Sequence, residues 1–257
     1  MRDESIKVKG PQSQEGFVIL TDIRLPEKIA LAVDKLYSAE NLQATLVSSN
    51  TVTSGEGFYA FNKDVTLYKT TLSEKENYYL SRQSLKQAPG APEESLFYQC
   101  LIKDGAKKEA RYDVLTGTVL SEGTGTEKDF DILSEAKEFL PAFADFDSLT
   151  MTEDMKGYSI NFTLSEKAGA RVLKHLASQA GVADTSGFSI SECSGTLSVS
   201  KETGLLSACA YTISASRGDE TAVGRYSFLL DQTKDVVFPE WQNPTATARG
   251  EAVDETC

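Results

Sequence analysis

The stretch "CSGTLSVSKETGLLSACAYTISAS", residues 193–216, carries two of the four cysteines and a Thr-Gly pair between two runs of alternating side chains. Lys201-Glu202-Thr203-Gly204 reads as a type I turn, with Gly204 in the left-handed conformation closing a bulge. Counting outward from a Lys201–Leu205 pair sets Val199 opposite Ser207, Leu197 opposite Cys209, Gly195 opposite Tyr211 and Cys193 opposite Ile213. One face then collects Cys193, Leu197, Val199, Leu205, Cys209, Tyr211 and Ile213. The other collects Ser194, Thr196, Ser198, Ser200, Ala208 and Thr212. A slip of one residue would mix the two sets, so the pattern itself specifies the register.

In this register Cys193 and Cys209 share a face but lie about 13 Å apart along the ladder, at roughly 3.3 Å per residue. A disulfide needs Cα atoms within about 7 Å. Both read as small buried hydrophobes. Cys100, on a face with Leu96, Tyr98 and Ile102, reads the same way. Metal binding would require His or Cys clustered at short spacing, and no such cluster occurs. Neither a metal nor a cofactor is expected. Cys257 ends a polar tail.

The chain has 257 residues, 40% hydrophobic and 25% charged, which suits a globular protein with a substantial core. Its 38 acidic and 26 basic residues give a formal charge of −12. Phosphate backbones attract basic faces, so nucleic acid is excluded as an expected partner. No stretch reaches the roughly 18 apolar residues of a membrane span. Residues 1–15 read as a flexible arm and 243–257 as a flexible tail, around one domain at 16–242.

Three helices punctuate the chain. Ile29, Ala30, Val33, Leu36 and Tyr37 make an apolar stripe in "LPEKIALAVDKLYSAE". In "DFDILSEAKEFLPAFADF", Asp129 or Asp131 caps a helix whose stripe is Ile132, Ala136, Phe139, Leu140 and Phe143, with Pro141 ending or kinking it. In the third helix Ser165 caps, Val172, Leu173, Leu176, Ala177 and Ala180 face inward, and Gly181 stops. About ten strands fill the remainder, "DVVFPEW" being a short final one. Short alternating strands joined by tight turns imply antiparallel order, and helices that come singly argue against a doubly wound sheet. The expected class is α+β: a large curved antiparallel sheet with about three helices packed on one face.

The usual chemical motifs are missing. His175, the only histidine, falls on the polar side of its helix, opposite Val172, Leu173 and Leu176, and is expected to be exposed. That leaves no oriented base for a nucleophilic triad. "SEGTGTEKDFD" lacks the Gly-Lys-Ser/Thr ending of a phosphate loop. "FADFDSLTMTED" lacks calcium-loop spacing and reads as a solvated acidic turn. No enzymatic activity is expected.

The order of elements, with "SGTLSVSKETGLLSACAYTISA" and then "YSFLLDQTKDVVFPEW", resembles the LolA/LppX-like superfamily of bacterial envelope lipoproteins and lipoprotein carriers, above all its small Gram-positive lipoproteins. The points of likeness are the turn at 201–204 and the closing Val237-Phe238-Pro239-Glu240. The resemblance implies a half-barrel whose concave, apolar face is lidded by helices and holds lipid or acyl chains. It also implies an extracytoplasmic protein, secreted or held at the membrane through a lipid anchor that this chain does not display. A monomer is expected. The candidate ligand-binding residues are Tyr158, Ile160, Phe162, Leu197, Tyr211, Ile213 and Phe228. The alternative is that these side chains fill an ordinary core, making the protein an interaction or sensory module without a cavity.

Overall fold

The structure is a computed structural model that describes residues 25–242, apart from 55–56, 71–75, 89–90, 132, 142–144 and 180–183. The arm at 1–15, the tail at 243–257 with Cys257, and Ile132, Phe143, Ala180 and Gly181 lie outside the described residues.

Helix α1 (Leu25–Ser38) leads into six strands in a meander. These are β1 (Asn41–Ser54), β2 (Gly57–Thr70), β3 (Glu76–Lys86), β4 (Glu94–Lys103), β5 (Ala106–Asp113) and β6 (Val119–Thr126). A 3-10 turn (Glu127–Asp129) and α2 (Ser134–Phe139) follow. The second half comprises β7 (Phe146–Glu153), β8 (Gly157–Leu164), α3 (Glu166–Gln179), β9 (Ser189–Ser200), β10 (Leu206–Arg217) and β11 (Glu220–Gln232). All eleven strands form one antiparallel sheet in the order β6-β5-β4-β3-β2-β1-β11-β10-β9-β8-β7. The first and last strands meet in the middle, β6 and β7 are the two edges, and the sheet is not closed. The link from β6 to β7 must therefore run from one edge to the other, and it carries α2.

The hairpin that specifies the register has the expected pairs Leu197–Cys209, Gly195–Tyr211 and Cys193–Ile213. Gly204 has φ +67°, and its N–H donates to the Ser200 carbonyl at 2.8 Å. One detail differs. A bulge between Leu206 and Ala208 sets Val199 opposite Leu206, not Ser207. The extra residue lets consecutive Leu205 and Leu206 both turn inward and become buried. All seven residues assigned to the apolar face are buried. Cys193 and Cys209 are free thiols, as is Cys100.

The helices pack on one face, here the inner face. In α1 the buried stripe is Leu25, Ile29, Ala32 and Leu36, with Val33 and Tyr37 half-buried beside it. In α3 the Ser165 hydroxyl accepts from the Ala168 N–H at 3.3 Å, the expected cap, and Val172, Leu173, Leu176 and Ala177 are buried. A side chain at Gly224 of β11 would collide with Leu176, its Cβ falling 2.5 Å from Leu176 Cδ1. Glycine there is what lets α3 sit down on the sheet. Gly195 plays a related part between Phe162 and Tyr211, whose rings close over it with centroids 6.3 Å apart.

Three segments depart from the sequence reading. The second helix ends ahead of Pro141 as expected, but it is only six residues long because it starts at Ser134, after Leu133, with no side-chain cap from Asp129 or Asp131. Asp131 caps the preceding turn by accepting from the Leu133 N–H at 2.9 Å. "FDSLTMTE", read as part of an acidic turn, is edge strand β7, with Leu149 and Met151 buried inward and Asp147 exposed. "DVVFPEW" is not a strand but an extended strap across the outer face. There Trp241 stacks on Tyr78, with centroids 6.2 Å apart, and a second apolar cluster of Phe97, Ala110 and Tyr112 forms around it.

Candidate functional site

Where α2 and α3 approach each other over the middle of the sheet, they leave a cleft of about 450 Å³. Its floor is Tyr211 of β10 and Tyr226 of β11, with Leu140 and Val172 as apolar walls. Lys137, Glu138, Asp145, Arg171 and His175 form the rim. The floor rings stack, with centroids 5.0 Å apart and 25° between planes. Burial pushes both phenol pKa values upward, so both hydroxyls are neutral at physiological pH. The floor is thus uncharged and largely aromatic.

The rim is held by specific contacts. Asp145, just ahead of β7, accepts from Arg171 Nη2 at 2.7 Å, and its carbonyl accepts from the Ser165 N–H at 2.6 Å. These bonds pin the start of α3 to the end of the edge-to-edge link. The Asp145 carboxylate raises the Arg171 pKa and is itself buried, at 7% side-chain exposure, whereas the arginine stays 60% exposed. One end of the guanidinium is fixed while the rest faces the opening. Lys137 reaches back to Asp131 at 2.6 Å.

His175 is half-buried, contrary to the expectation of exposure. Its Nε2 lies 2.9 Å from Nε2 of Gln179, and Asn50 of β1 donates to Gln179 Oε1 at 2.5 Å. A polar thread therefore runs from the sheet through α3 to the rim. Arg171 and His175, four residues apart on α3, share the side that overlooks the cleft.

A smaller cleft of about 240 Å³ lies between α1 and the sheet. Leu25, Ala32, Met151 and Ile160 line it, and Lys28 and Lys201 hang over the Tyr158 ring at 5.5 and 5.3 Å from its centroid.

Of the seven candidate residues, Tyr211 floors the larger cleft, and Tyr158 and Ile160 line the smaller one. Phe162, Leu197, Ile213 and Phe228 are buried in the layer between sheet and helices. The set does occupy one face, as the alternation required, but it is divided between core and cleft. Asp145 and Arg171 were not among the candidates. They are 26 residues apart, and nothing in their spacing announces a contact made across the fold. Among the described residues, no three His, Cys, Asp or Glu side chains converge as metal ligands, and no helix is long and apolar enough to cross a membrane.

No protein-family model matches the chain, and no curated protein matches it significantly. Solved structures to which it is distantly similar include the following two. One is a DUF1329 family protein from Desulfovibrio piger, 10% identical, with a TM-score of 0.29 over 81% of this chain and 93% of that one. The other is a beta-barrel-like protein of domain of unknown function DUF1849 from Brucella abortus, 7% identical, with a TM-score of 0.27 over 76% of this chain and all of that one. These are distant likenesses, and they assign no family.

Proposed function

We propose that this is a bacterial envelope protein of LolA/LppX-like character that binds, without catalysis, an apolar ligand such as a lipid, acyl chain or lipopeptide. The cleft under α2 and α3 carries the proposal. Its 450 Å³ falls within the roughly 300–1,000 Å³ range of ligand pockets, and an aromatic floor lies below a charged rim. An apolar chain would lie on Tyr211 and Tyr226 between Leu140 and Val172, with its polar end at Arg171 and His175. An extracytoplasmic, lipid-anchored location and a monomeric state belong to the same reading. Native mass spectrometry after mild purification tests it. Co-purified lipid, or saturable uptake of a fluorescent fatty acid that Val172→Trp abolishes by filling the cleft, is expected. A chain that carries no lipid and takes up no fatty acid would overturn it.

The rival reading is an interaction module with a filled core. It is favoured by the continuous ring contacts Phe146–Phe162 (5.3 Å) and Phe162–Tyr211 (6.3 Å) within the layer. The same uptake experiment separates the two.

A further inference from the structure

The strap formed by residues 233–242 leaves β11 through Asp235, whose φ of 53° turns the chain, and crosses the outer face to β4 and β5. It meets a surface built in advance. Gln99 of β4 is fully buried, and its amide is held at both ends: Tyr78 Oη donates to Oε1 at 2.6 Å, and Nε2 donates to Tyr112 Oη at 3.2 Å. The remaining capacity of that amide is spent on main chain. The Gln242 N–H donates to Oε1 at 3.1 Å, and Nε2 donates to the Gln242 carbonyl at 2.6 Å. An oriented side-chain amide thus reads both main-chain polar groups of one residue, its N–H and its carbonyl, whatever side chain that residue bears. Beside it, the indole of Trp241 lies on Tyr78, with Lys108 Nζ 4.1 Å from its centroid, and Phe238 rests 5.9 Å from Tyr68.

The occupant is lightly held by comparison. No residue of the strap is fully buried, and it joins no strand of the sheet. The receptor side, by contrast, carries hydrogen bonds of its own, since Tyr78 and Tyr112 hold the Gln99 amide without any strap atom taking part. This asymmetry is that of a recognition site and its ligand rather than of two halves of a core.

We propose that the outer face of β3–β5 is a peptide-recognition groove, filled in cis by residues 238–242 and able to take an extended partner peptide that presents an aromatic side chain followed by an open main-chain edge. It lies on the face opposite the cleft, so the two proposals stand or fall separately.

Trp241 is the only tryptophan, so Trp241→Ala gives a full-length chain without indole emission. A capped peptide VVFPEWQN, the sequence of residues 236–243, then supplies the sole indole. Its emission should shift to the blue and saturate below about 1 mM, the effective concentration a short tether supplies. The same peptide N-methylated at the glutamine cannot donate to Gln99 and should show no saturable shift. On the wild-type chain, where the strap competes, a dansyl-labelled peptide should bind at least about tenfold more weakly, as competition from a tethered segment requires. The proposal is overturned if Trp241→Ala keeps its far-ultraviolet circular dichroism yet gives no shift, or if N-methylation has no effect. It is overturned equally if wild type binds as tightly as the variant. Light scattering run alongside covers the remaining occupant: a wild-type dimer that Trp241→Ala dissolves would assign the groove to a second copy and exclude a foreign peptide.

Discussion

The β8–β11 region and the β3–β5 region belong to one sheet but are covered differently. On β8 to β11 the inner face is buried beneath α1 and α3, while Asn161, Thr196, Ala210 and Arg225 on the outer face are exposed. On β3 to β5 both faces are buried. Tyr79, Ser81, Cys100 and Ile102 turn inward, and Tyr78, Phe97, Gln99 and Tyr112 lie outward near the strap. The inner side of the second region is also more polar, since Glu135 of α2 pairs with Lys63 and accepts from Tyr79 Oη at 3.0 Å. One-sided cover leaves strict alternation in the sequence. Two-sided cover erases it, and the aromatic runs "NYYL" and "LFYQC" are the trace that remains.

Mutations should report this difference in graded fashion. The largest effect is expected in the one-sided region, where the inner layer alone holds the helices. Phe162→Ala should cost about 3–5 kcal/mol in urea denaturation, because the cavity opens between Phe146 and Tyr211. A loss below 1 kcal/mol would mean that the layer is loosely packed.

Cys209→Ser in the same layer places a hydroxyl opposite Leu197, and about 1–3 kcal/mol should be lost. The thiols also give the region a pH response. Burial pushes Cys209 up to about 12 and Cys193 up to about 11, against roughly 8.5 for an unfolded thiol. A folded-state pKa above the unfolded one gives stability that is complete below pH 8.5 and declines as pH rises towards 12. Between pH 8 and pH 10 the loss attributable to Cys209 should be about 2 kcal/mol, and Cys209→Val should remove that part of the slope. Native thiol titration at pH 8 should leave Cys100, Cys193 and Cys209 unreacted until denaturant is added.

In the two-sided region, Trp241→Ala should cost about 1–2 kcal/mol through the lost ring stacking and cation–π contact. It should expose the chain after Gln232 to protease while leaving α3 protected from hydrogen exchange. Smallest of all, Thr196→Val on the bare outer face of β9 should stay within about 0.5 kcal/mol of wild type. A larger destabilisation there would show that this face, too, has a cover.

The central pairs of the hairpin at 193–216, from Leu197–Cys209 to Cys193–Ile213, were legible, because a period of two beside a glycine turn favours one register. The bulge at Ser207 escaped because alternation cannot accommodate two buried leucines in a row without an extra residue. β7 was hidden by Asp147, Glu153 and Asp154, whose acidity outweighed the inward Leu149 and Met151. The strap read as a strand because Val236, Val237 and Phe238 favour extended backbone, and only the buried Gln99 across the fold shows why that segment stays out of the ladder. The cleft was legible only as a face. Tyr211 could be assigned to it, but the Arg171–Asp145 pair is a product of topology, since Asp145 ends a link that only the sheet order explains.

That sheet order also has a kinetic consequence. The central ladder joins β1 to β11, and Thr45 Oγ1 donates to Asp231 Oδ2 across 186 positions of sequence. Each half is a meander of neighbouring strands and can form locally, whereas the joint between them waits for distant partners. During synthesis β1 therefore keeps an open edge until nearly the whole described chain has emerged. In pulse-labelled hydrogen exchange the amides of the β1–β11 ladder should gain protection last, and a nascent chain stopped before β11 should carry a central strand paired on one side only, an open edge prone to pair with a stranger.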